Sequence, residues 1–127
     1  MKSEQKTDST MEKYTINRTG LPPIVFTGEQ IASADNAIGH NGHANRWVEV
    51  KIYRSKSGKY VTSFCAFSQW DGESDHRTAA SFATAAEVIE WLRIEDDGRL
   101  GAVPQEAVEK AAKVDPAFAA AWVEEVD

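Results

Sequence analysis

The chain has 127 residues and 42% hydrophobic content, which suits one domain around one core and would starve two. Its formal charge of -6 is uneven: residues 1–68 carry nine Lys/Arg and six Asp/Glu, residues 69–127 five and fourteen, or +3 and -9. The single cysteine, Cys65, excludes an intramolecular disulfide, and no run of about 18 apolar residues offers a helical membrane span. With neither a charged n-region nor an apolar h-region at its start, the expected location is cytoplasmic.

Residues 1–13 are polar and of mixed charge, and are expected to form a flexible tail ahead of one domain over residues 14–127. Gly20, Pro22 and Pro23 then punctuate a loop, and Ile24 to Phe26 predict a first short strand. Thr27 and Gln30 have the spacing of a capping box, which predicts a short helix from Gly28 to about Ala34. The turn formers from Asp35 to Asn45 predict an exposed loop.

The strongest pattern follows. Val48, Val50 and Ile52 alternate with Trp47, Glu49, Lys51 and Tyr53, the period of a strand. Ser55 to Gly58 supply a turn, with Gly58 suited to positive φ, and the return strand runs from Lys59 to about Trp70. It places Val61, Cys65 and Phe67 on one side and Tyr60, Phe64 and Trp70 on the other. A third antiparallel strand is expected over Arg77 to Phe82.

Three helices should close the chain. Thr84 and Glu87 form a second capping box ahead of Val88, Ile89, Trp91 and Leu92. Pro104 opens a helix through Ala107, Val108, Ala111 and Ala112, and Asp115-Pro116 is an N-cap followed by proline at the first helical position. The last helix is expected to turn Phe118, Trp122 and Val126 inward. The fold class is therefore α+β: a three- or four-stranded antiparallel sheet on a β-hairpin core, followed by two or three helices packed on one face.

Chemistry-bearing motifs are sparse. There is no Gly-x-Ser-x-Gly, phosphate-binding glycine loop or dinucleotide fingerprint, so no catalytic residue and no cofactor is assigned. His40 and His43 have a His-x-x-His spacing that His76 or Asp35 could extend, yet they lie among turn residues without a thiolate pair, and no metal site is assigned. Asp71, Glu73, Asp75 and His76 make an acidic turn too short for a calcium loop. Cys65, between Phe64 and Ala66 in mid-strand, reads as a buried small hydrophobe.

Two surfaces are candidates for binding. Arg46, Lys51, Arg54, Lys56 and Lys59 bring local positive charge to the hairpin beside Trp47, Tyr53 and Tyr60, a combination that can track phosphates and stack bases, though hairpin tips also carry lysine to block edge pairing. Glu87, Glu90, Glu95, Asp96, Asp97, Glu106 and Glu109 give the helices an acidic surface that could face a basic partner or mimic nucleic acid.

In this order, Phe26-Thr-Gly-Glu-Gln-Ile-Ala, Ile52-Tyr-Arg-Ser-Lys-Ser-Gly-Lys-Tyr-Val, Val103-Pro-Gln-Glu-Ala-Val and Val123-Glu-Glu-Val-Asp resemble segments of small bacterial EXLDI-type proteins. The resemblance implies a bacterial origin and a compact fold, and it supplies no catalytic residues. The expected function is a non-enzymatic macromolecular binding protein, a regulator or inhibitor acting through protein contacts at Trp47, Tyr53, Arg54, Lys56 and Lys59 or at Glu87, Glu90, Glu95, Asp96 and Asp97. Nucleic-acid binding by the basic hairpin is the alternative, and a small enzyme using the His-containing loop is the third reading.

Overall fold

The computed structural model describes residues 11–37, 46–70, 72–95 and 100–126, the side chain of Glu95 excepted. Among these, the elements run β1 (Glu12–Arg18), β2 (Leu21–Asp35), β3 (Arg46–Ser55), β4 (Tyr60–Ser68), β5 (His76–Phe82), α1 (Ala85–Glu95), α2 (Ala102–Val114) and α3 (Pro116–Ala121). The strands form a single antiparallel sheet in chain order, so the fold is α+β with five strands where three or four were expected. No helix among the described residues is long and apolar enough to cross a membrane.

The additional strand comes from the N-terminal hairpin. β1 begins at Glu12, inside the expected tail, and pairs with β2 from Glu12↔Gly28 to Arg18↔Leu21. Pro22 and Pro23 therefore lie in a strand rather than a loop. They are tolerated because β3 pairs with β2 only from Gly28 onward, and the ladder to β1 is irregular between Ile16 and Arg18.

The expected helix from Gly28 to Ala34 is instead the second half of β2. A capping box satisfies only local backbone donors, whereas here β3 supplies partners from Gly28↔Ser55 to Asp35↔Glu49. A bulge at Ile31 sets two residues against Ile52, after which Ala32 and Ala34 face the core at 7% and 4% exposure. Their small side chains suit a face against which α2 packs closely.

The β3–β4 hairpin forms as expected, pairing from Arg46↔Ser68 to Arg54↔Tyr60, and Gly58 turns at φ +91°. Val50, Ile52, Tyr60 and Ala32 on one sheet face meet Val88, Leu92, Val108, Ala111 and Phe118 from the helices in one core. The capping box at α1 is formed: Glu87 N donates to Thr84 Oγ1 at 3.2 Å and Thr84 N to Glu87 Oε1 at 3.3 Å. Asp115 caps α3 by accepting from Ala117 N at 2.8 Å. Phe118 is fully buried as expected, but α3 stops at Ala121, so Trp122 is half-buried and Val126 is 81% exposed.

The other sheet face is enclosed by curling. Tyr14 and Tyr53 rings approach to 4.8 Å although β2 separates their strands, with Phe26 5.4 Å from each. At the opposite end Thr19 N donates to Arg77 O at 2.8 Å, and Arg77 N to Thr19 Oγ1 at 2.8 Å, tying the β1–β2 turn to β5. The sheet thus has helices on one side and a partly closed interior on the other.

Candidate functional site

Where β3 begins and β4 ends, the sheet presents an aromatic and arginine cluster. Trp47 and Phe67 are directly paired across the strands, with ring centroids 5.5 Å apart, and the Arg77 guanidinium lies 5.0 Å from the Phe67 ring. Trp70 was expected on a covered strand face, but β4 ends at Ser68. Its indole therefore projects from the turn, 51% exposed, with the Arg46 guanidinium 5.8 Å above the ring.

Arg46 is held in place. Its Nε and Nη2 donate to Glu73 Oε1 and Oε2 at 3.1 and 2.6 Å, a bidentate pair, and Ser68 Oγ also donates to Glu73 Oε1. These hydrogen bonds, Arg46 foremost, bring the Glu73 carboxyl down to about 2. Ser68 N donates to Asp75 Oδ1 at 3.1 Å, so the acidic turn is stapled to the strand it follows rather than opened toward a cation. Beside it an open groove of about 520 Å³ runs past Asn36, Val48, Ala66 and His76.

The other expected site residues are dispersed. Arg54 is about 26 Å along β3 from Arg46, at about 3.3 Å per residue, so the hairpin's cations form no continuous patch. It is engaged internally, with Nη2 2.8 Å from Glu29 Oε2 and Nη1 3.3 Å from Asp115 Oδ2. Tyr53 is buried at 4% exposure within the Tyr14–Phe26 cluster, so no base can stack on its ring. Lys56 and Lys59 are exposed at the β3–β4 turn.

Among the acidic residues, Glu87 caps α1, Glu106 pairs with Lys110 at 3.0 Å, and Glu109 accepts from Gln105 at 3.0 Å. Glu90 is exposed on α1, 3.7 Å from Arg93. The Glu95 side chain, Asp96 and Asp97 lie outside the described residues, as do His40, His43 and Asp71. Cys65 is buried, and burial pushes its thiol up while Arg77 draws it partly back.

Burial raises two phenols to about 12: Tyr53 in the aromatic cluster, and Tyr60, whose hydroxyl donates to the Asp115 carboxylate at 2.8 Å. Unfolded tyrosine ionises near 10. Below about pH 10 both phenols are neutral whether folded or unfolded, and their full contribution is present; it is lost as pH rises toward 12. Stability in denaturant titrations should hold to about pH 10 and then fall, with phenolate absorbance delayed until unfolding.

The cluster of Arg46, Trp70 and Glu73 escaped a reading confined to charge runs. Its signal was a tryptophan immediately before Asp71-Gly72, where a turn must leave the indole outside the strand. No family model, curated protein or solved structure matches the chain.

Proposed function

We propose that this chain is a non-enzymatic binding protein, a regulator or inhibitor that engages a protein partner through the sheet end carrying Arg46, Trp47, Phe67 and Trp70. The observation behind this reading is the exposed Trp70 indole beneath an arginine already immobilised by Glu73. Tryptophan and arginine dominate binding hot spots, and a pre-ordered guanidinium loses little entropy on association. Because the hairpin's cations are spread along β3 and over both of its faces, this arrangement favours a protein partner over a nucleic-acid backbone, which calls for a continuous basic track.

Affinity capture from bacterial lysate, with wild type and variants side by side, tests the proposal. Trp70→Ala should weaken the captured complex by about 2 kcal/mol, about thirtyfold in Kd, while Lys56→Glu with Lys59→Glu at the far turn leaves it unchanged. A partner retained equally by Trp70→Ala, or one lost only with the lysine variant, would refute this surface.

A further inference from the structure

We propose that the interior of the curled sheet is a binding site for a small oxyanion, held between Lys51 and Arg77. This site lies on the sheet face opposite the helices and adjoins the sheet-end surface, the Arg77 guanidinium lying 5.0 Å from the Phe67 ring.

A cavity of about 180 Å³ opens there, lined from four strands by Asn17 of β1, Lys51 and Tyr53 of β3, Ser63 and Cys65 of β4, and Arg77 of β5. The two Thr19–Arg77 hydrogen bonds hold β1 over β5 and so maintain its wall. Interiors of small curled sheets are ordinarily filled by side chains, as Tyr14, Phe26 and Tyr53 fill the other end of this one. Here the space is left open and its lining is charged.

The cations facing this space are more loosely paired than Arg46 and Arg54. Arg46 and Arg54 each meet a carboxylate at 2.6 and 2.8 Å. Lys51 Nζ, by contrast, is 3.8 Å from Glu49 Oε1, and Arg77 Nη2 is 3.5 Å from Asp75 Oδ2, both longer than a charge-assisted hydrogen bond of about 2.7–2.9 Å. Lys51, Arg77 and Glu49 line the cavity and Asp75 stands just outside its lining, so each cation has one loosely held carboxylate. Two neutral donors complete the set, the Tyr53 and Ser63 hydroxyls, neither of which has a hydrogen-bond partner among the described residues.

The chemistry of the occupant follows. Two cationic donors and two hydroxyls converge on an acceptor-only group, a carboxylate or phosphate oxygen set. The cavity admits phosphate or a carboxylic acid of a few carbons.

Cys65 lines the same cavity and reports occupancy. Calorimetric titration of the full chain with inorganic phosphate and with glycolate, alongside the rate of Cys65 alkylation by iodoacetamide, should show at least one oxyanion binding with Kd below about 10 mM. The bound oxyanion should slow alkylation about tenfold. Lys51→Met should weaken binding about tenfold, Lys51→Arg should preserve it, and Lys56→Met at the exposed turn should have no effect. Stronger binding of phosphate points to a phosphorylated ligand, and stronger binding of glycolate to a carboxylic acid. The proposal is overturned if neither anion binds, if methylammonium protects Cys65 equally well, or if Lys56→Met weakens binding as much as Lys51→Met. Should Lys51→Met lose its circular-dichroism signature, Lys51→Arg decides: loss of binding in a folded Lys51→Arg overturns the site as well.

Discussion

Gly28→Ala is expected to lower the unfolding free energy by about 3 kcal/mol. A Cβ at Gly28 would stand 2.2 Å from the Arg54 carbonyl oxygen and 2.8 Å from the Ser55 Cα. Both are backbone atoms, so no side-chain rotation can relieve the clash. Gly28 is also paired on both sides, with Glu12 of β1 and Ser55 of β3, at the point where β2 changes its main partner. Displacing either neighbour would therefore open a ladder. Gly58→Ala provides the contrast: its Cβ meets nothing within 4 Å, and the cost is the positive φ alone, about 1–2 kcal/mol. Urea unfolding followed by tryptophan fluorescence should rank Gly28→Ala well below Gly58→Ala, and equal losses would show that the β2–β3 approach is looser than described.

Asp115→Ala should destabilise the protein by about 3 kcal/mol, because one 3%-exposed carboxylate serves three elements. Its Oδ2 accepts from the Tyr60 hydroxyl at 2.8 Å and lies 3.3 Å from Arg54 Nη1, while its Oδ1 caps α3 through Ala117 N. The hydrogen bond to a charged acceptor contributes about 1.5–2 kcal/mol and the cap about 1 kcal/mol. The Arg54 contact adds little, since that guanidinium is one-third exposed and keeps Glu29. Asp115→Asn retains a cap and should lose about half as much, and Tyr60→Phe about 1.5 kcal/mol. In a double-mutant cycle the Asp115 and Tyr60 losses should be clearly less than additive. Full additivity would separate the two residues energetically.

The parts of the fold that were legible in the sequence share one physical property. The β3–β4 hairpin alternates strongly because its two faces meet different environments, and α1 and α3 are announced by caps whose partners lie within three residues. β1 was hidden because its outward residues are polar and its partner lies across a short turn. The second half of β2 was misread because Thr27 and Gln30 carry a local signal that the ladder with β3 overrides. The candidate sites failed differently. Arg46, Lys51 and Arg54 are close in sequence, but successive strand residues point to opposite faces and each residue adds about 3.3 Å of length. One apparent cluster therefore became a sheet-end contact, a half-exposed cation beside the sheet's open cavity and a structural ion pair.

The order of the elements also bears on how the chain emerges from a ribosome. Each strand can pair with its predecessor as soon as it appears, since the sheet is laid out in chain order. The residues that cover it come last: until α2 and Phe118 have been made, Ala32, Ala34, Val50 and Ile52 face water on a sheet already able to form. A stalled or truncated product ending before residue 102 would present that bare apolar face to its neighbours, the condition under which nascent chains aggregate or recruit chaperones.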